Sequence, residues 1–182
     1  MSVLIEAISV VFRAETVHAK YPGGWEKFVE NLPNQTMCAD NELVRIGFMS
    51  PEDVKNFVAQ LEDHGFTYID NGEAQDIVVV DQIRGPMASC NWAKFARFDL
   101  DGDGKKMIVV GRLVGSDHDI LMLPDGWDFE NSLSATYSFV PTKHFEKSMT
   151  PIRNEGNLEV YQNELTGREA YIGRATPKDT TK

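Results

Sequence analysis

Cysteine is scarce in this chain. Cys38 and Cys90 are the only two among 182 residues, too few for the disulfide framework that staples small secreted domains. Both sit among small or apolar neighbours, and free buried thiols in a reducing cytoplasm are the expectation. Neither has a histidine or another base beside it in sequence, which argues against a nucleophilic thiol. Long apolar runs are missing as well. None approaches the ~18 residues that a membrane-spanning helix needs. The first residues, Met1-Ser2-Val3-Leu4-Ile5-Glu6, show neither a basic segment nor a small-residue cleavage site.

Positive charge is the third shortage. Lys and Arg number 18 against 28 Asp and Glu, for a net charge of −10. Such a balance repels phosphate backbones and anionic membranes, so neither nucleic acid nor a membrane is the expected partner. The deficit is uneven. Residues 1–90 carry 14 acids and 6 bases, and residues 99–130 carry eight acids and three bases. An acidic surface keeps a protein in solution and can also dock a basic protein partner.

Recognised chemical motifs are absent too. The chain has no G-x-x-x-x-G-K-[ST], G-x-G-x-x-G, G-x-S-x-G, H-E-x-x-H or C-x-x-C, and no cofactor is expected. Asp99-Leu100-Asp101-Gly102-Asp103-Gly104-Lys105 begins like a calcium loop, with oxygens at positions 1, 3 and 5 and glycine at 6. Position 12 is Val110 rather than a carboxylate. An apolar strand follows instead of a helix, so the string reads as a hairpin turn. Asp117-His118-Asp119 puts a histidine between acids, but the other histidines are scattered and supply no third ligand. No metal site is expected.

What is present is ordinary globular composition, 42% hydrophobic and 25% charged. One domain over residues 1–175 is expected, with a disordered polar tail at 176–182. Val3–Phe12 reads as a central strand. A short helix over 13–20 stops at Tyr21-Pro22-Gly23-Gly24. Trp25, Phe28, Val29 and Leu32 then form a helical stripe. Gln35–Ala39 and Leu43–Met49 pair as a hairpin. Ser50 caps, Pro51 opens and Gly65 closes a helix over Pro51–His64, with Val54, Phe57, Val58 and Leu61 as its apolar face. Phe66–Ile69 and Asp76–Ile83 are strands. Beyond them the chain reads as mostly β: Trp92–Leu100 with Lys106–Val114, then Ile120–Leu123, Ser134–Val140, and a last hairpin of Leu158–Asn163 with Glu169–Gly173.

The expected fold class is therefore α+β: a mainly antiparallel sheet with two principal helices on one face. Residues 3–82 follow a ferredoxin-like βαββαβ order, and a β-rich second half extends the sheet. Two functions fit. The first is a cytosolic binding protein, of inhibitor or immunity type, whose acidic surface meets a basic partner. The second is a small-molecule binder or enzyme with a cleft near Asp81 and Arg84. The candidate contact residues are Asp81, Gln82 and Arg84, polar groups closing a buried strand; Asp40, on the strand face of Cys38; and Trp127, in an acidic loop. Trp25 fits its helix's core stripe.

Overall fold

A computed structural model describes residues 1–116, 120–136, 149–155, 158–163 and 169–173. Its first layer is helical: α1 (Ala14–Lys20), α2 (Gly24–Glu30) and α3 (Pro51–Asp63). α3 forms as its sequence dictates. The Ser50 side chain accepts the Glu52 N–H, Pro51 opens the helix, and Val54, Phe57, Val58 and Leu61 turn inward. Gly65 follows at φ +84°, a left-handed conformation that suits glycine.

These helices cover one face of a five-stranded sheet. Its strands are β2 (Ile8–Arg13), β3 (Cys38–Ala39), β4 (Leu43–Phe48), β7 (Ile77–Asp81) and β8 (Gly85–Pro86), in the order β3-β4-β2-β7-β8. Every pairing is antiparallel. β2 and β3 therefore run parallel with β4 between them, joined through α1 and α2. β4 and β7 run parallel with β2 between them, joined through α3. That is the ferredoxin-like arrangement expected of residues 3–82. The hairpin near 35–49 supplies two of its strands. Between α3 and β7 lies a separate ribbon of β5 (Ile69–Asp70) and β6 (Glu73–Ala74).

Two expectations need correction. Val3–Phe12 is two strands rather than one. β1 (Ser2–Ile5) and β2 belong to different sheets, because Ala7 adopts φ +48° and breaks the extended path. The second half does not extend the first sheet either. β9 (Ala93–Asp99), β10 (Met107–Leu113) and β11 (Leu121–Met122) join β1 in a second sheet, ordered β11-β1-β10-β9. The loop from Leu100 to Lys106 closes the β9–β10 hairpin as expected.

Strand alternation explains the stacking. Val10, Phe12, Val44, Ile46, Ile77 and Val79 face the helices and pack with Phe28, Phe57 and Phe66. Val11, Leu43, Val78 and Val80 face the other way, onto Val3, Leu4, Ile5, Ile108 and Val109. The first sheet is thus buried on both faces, and its strands read as continuous apolar runs.

The expected strand at Ser134–Val140 begins instead as a single turn, α4 (Leu133–Thr136); residues 137–140 lie outside the described ones. β12 (Met149–Glu155), β13 (Leu158–Asn163) and β14 (Glu169–Gly173) form an antiparallel sheet that contains the predicted last hairpin. The Asp117–Asp119 string and the 176–182 tail also lie outside the described residues. Among the described residues, no helix is long and apolar enough to cross a membrane.

Candidate functional site

Each charge inside a core demands an explanation, because its desolvation costs several kcal/mol. Two such charges meet where the sheets part. Arg45 is 1% exposed and Glu6 is 6% exposed. Arg45 lies in β4 opposite Val11, so alternation points its side chain between the two sheets. Its Nε donates to Ser9 Oγ (2.8 Å), one Nη to the Thr36 carbonyl (3.1 Å) and the other to the Glu6 carbonyl (3.0 Å). All three acceptors are neutral. Among the described residues no carboxylate comes within 4.0 Å of the guanidinium. Burial pushes its pKa down, and the neighbouring Cys38 sulfur and the negative field of Glu6 partly oppose that shift. Gly47 makes the arrangement possible: a Cβ there would stand 2.6 Å from an Arg45 Nη.

Glu6 sits on the kink between β1 and β2. Its Oε1 accepts from the Trp127 indole N–H (3.1 Å), the Ser134 N–H (2.9 Å) and the Ser134 hydroxyl (2.7 Å). One carboxylate oxygen thereby ties the segment 127–134 to the sheet. Ser9 completes the kink. Its hydroxyl donates to the Glu6 carbonyl (2.9 Å) and accepts the Glu6 N–H (3.2 Å).

Above these charges opens a cleft of about 530 Å³. Arg45, Gly47 and Glu6 line it, together with Thr36, Phe48, Met49, Trp127 and Leu133. Asp53, from the first turn of α3, and Asp125, from the acidic loop, also line it, and both are exposed. Among the described residues neither takes part in an ion pair.

A second depression, about 420 Å³, lies in the helical layer. Phe28, Leu32, Phe57 and Leu61 line it, with Asn31, Gln60, Asp63 and His64. Tyr21 and His64 meet edge to face at 4.7 Å between ring centroids. The three helices around it carry seven acids against three lysines, and all seven acids are exposed. Two of the three lysines are paired, Lys27 with Glu30 and Lys20 with Asp76.

Of the residues singled out from sequence, Trp127 lines the larger cleft; Asp40, Asp81, Gln82 and Arg84 line neither depression. Asp81 Oδ1 accepts the Ile83 and Arg84 N–H groups (2.8 and 2.9 Å), closing the turn after β7. Arg84 is exposed. Asp40 Oδ1 accepts the Glu42 and Leu43 N–H groups in the β3–β4 turn. Gln82 is 2% exposed and supports the kink: its Oε1 accepts the Ala7 N–H (2.8 Å). Trp25 packs against Phe28 at 5.8 Å between centroids. Trp92 donates to the Ala74 carbonyl (3.0 Å). In the Asp99–Lys105 turn, Asp99 Oδ2 accepts the Gly104 N–H. The described residues hold no cluster of three metal-ligating side chains.

Glu6 and Arg45 went unnoticed in the sequence although a signal existed. Each is a lone charge inside an apolar run, Leu4-Ile5-Glu6-Ala7-Ile8 and Leu43-Val44-Arg45-Ile46. No family model, curated protein or solved structure matches the chain.

Proposed function

We propose that the protein is a binding protein whose helical layer docks a basic protein partner, in the manner of an inhibitor or immunity-type protein. One observation carries this reading: seven of the fourteen acids of the first half lie on the solvent side of α1, α2 and α3, the helices that surround a depression with an apolar floor. Apolar anchors ringed by charge suit protein recognition. The floor supplies desolvated contacts, and the acids steer a positively charged surface toward it. Asp63 lines the depression itself, and Glu30 and Glu62 adjoin its lining residues in sequence. The same reading places the protein in a reducing cytoplasm, in keeping with two free thiols, Cys38 buried and Cys90 half-buried.

The test is capture from a lysate, followed by kinetics on the purified complex. A basic protein should be retained at low salt. Its association rate should fall steeply as salt rises, because exposed charges are screened. Reversing the layer with Glu26→Lys, Glu30→Lys, Glu62→Lys and Asp63→Lys together should abolish capture. A partner held equally well by the reversed protein, or at an association rate indifferent to salt, would refute the proposal.

A further inference from the structure

The cleft over Arg45 is a different place with different chemistry. A guanidinium has five N–H donors, and three of Arg45's find acceptors. The Cys38 sulfur is a further partner of the guanidinium, and no carboxylate among the described residues takes up the rest of its donor capacity. The group is buried, lines the cleft and touches no carboxylate. An oxyanion is its natural complement, because a planar guanidinium binds a carboxylate through paired N–H groups. The mouth has the opposite character. Asp53 and Asp125 are exposed acids without an ion-pair partner there, so they repel a purely anionic molecule and attract an ammonium group. Between floor and mouth stand Phe48, Met49, Trp127 and Leu133. The floor sets the guanidinium beside the Glu6 carboxylate, whose Oε1 is taken up by Trp127 and Ser134; that guanidinium, the apolar wall and the negative mouth together describe one kind of guest.

We propose that this cleft binds a small zwitterion, an amino acid or a short peptide, with its carboxylate on Arg45 and its ammonium group at Asp53 and Asp125. The volume, about 530 Å³, lies within the range of small-molecule sites. Thr36 fixes the floor. Its hydroxyl accepts the Gly47 N–H (2.8 Å) and donates to Asn34 Oδ1 (2.6 Å), whose amide N–H in turn reaches the Gly47 carbonyl (2.8 Å). Glu6 fixes the opposite wall through Trp127 and Ser134. The site is thus preorganised by hydrogen bonds among its own lining residues and their neighbours.

Calorimetric titration of the full chain tests the proposal. The probes are L-leucine, L-leucyl-L-leucine and ε-aminocaproate, which differ in the spacing between their charges. Hexanoate and hexylamine each lack one charge. At least one zwitterion should bind tenfold or more tightly than either single-charge probe, and which one binds separates a free amino acid from a peptide. Asp53→Asn with Asp125→Asn, both at exposed positions, should weaken the zwitterion and erase the discrimination against hexanoate. Arg45→Lys should weaken zwitterion binding tenfold or more, with circular dichroism confirming the fold; if that variant does not fold, the two aspartate variants decide. Hexanoate or hexylamine binding as tightly as every zwitterion overturns the proposal. So does the absence of heat from all five probes at millimolar concentration.

Discussion

The stability of the interior hinges on single atoms at Arg45. Its side chain satisfies the Ser9 hydroxyl and the carbonyls of Glu6 and Thr36, from β2, the kink and the segment before β3. Arg45→Ala would leave a large void and the Thr36 carbonyl in need of a partner, while the Ser9 hydroxyl and the Glu6 carbonyl keep their bond to each other. A loss of about 3 kcal/mol or more is expected, since the void left by a large buried side chain adds to the cost of about 1–3 kcal/mol for the unpaired carbonyl. Urea denaturation reads it as a lower midpoint with an unchanged slope. Cys38 gives a second residue-scale prediction. Burial pushes its thiol pKa up, while the positive field of Arg45 works the other way. The unfolded chain therefore ionises this thiol more readily than the folded one. The stability tied to the neutral thiol is fully present below the unfolded pKa of about 8.5 and is lost as pH rises toward the higher folded value. Urea midpoints should decline above that pH, and Cys38→Ala should remove that component of the decline. Against a disulfide reagent at pH 8, Cys90 should react before Cys38, because it is the less buried.

At the scale of elements, legibility followed how local the determining contacts are. α3 was readable to within a residue because its cap, its opening proline, its apolar stripe and its closing glycine are all local signals. Ser50→Ala tests the first of these. Losing the Ser50 Oγ acceptor for the Glu52 N–H should cost about 1 kcal/mol, measured as a lower thermal midpoint. The β9–β10 hairpin was equally plain. The break at Ala7 was not, because apolar residues continue through Val3–Phe12 with only Glu6 and Ser9 between them, and no glycine or proline marks the turn. Contacts distant in sequence hold it: Gln82 reaches Ala7 from 75 residues away, and Ser134 reaches Glu6 from 128 residues away. The candidate site was hidden for the same reason. Its parts come from the kink, the segment before β3, β4, α3 and the loop after β11, and only Trp127 drew notice, as an aromatic in an acidic loop. The polar groups at the end of β7 looked like a binding cluster. In the structure Asp81 satisfies turn N–H groups and Gln82 a neighbouring strand junction.

The helical layer and the two sheets built on β2 and β10 stack on one another, and the whole chain bears a charge of −10. Like charges oppose compaction, and salt screens them. The screening length falls from about 30 Å at 0.01 M to about 8 Å at 0.15 M ionic strength. The thermal midpoint should therefore rise by about 2–4 °C between those conditions, corresponding to about 1 kcal/mol for a chain of this size. Differential scanning calorimetry in the two buffers reads the shift; a midpoint that falls with salt would mean that attractive pairs dominate the surface.

The kink at Ala7 also has a consequence for biosynthesis. β1 leaves the ribosome before β2, yet its antiparallel partner is β10, whose residues Met107–Leu113 follow about a hundred positions later. At about 5–20 residues per second, Val3, Leu4 and Ile5 wait roughly 5–20 s for that partner. Throughout that interval the nascent chain presents an apolar strand with open edges, which is the moment at which a chaperone is of most use and self-association most costly.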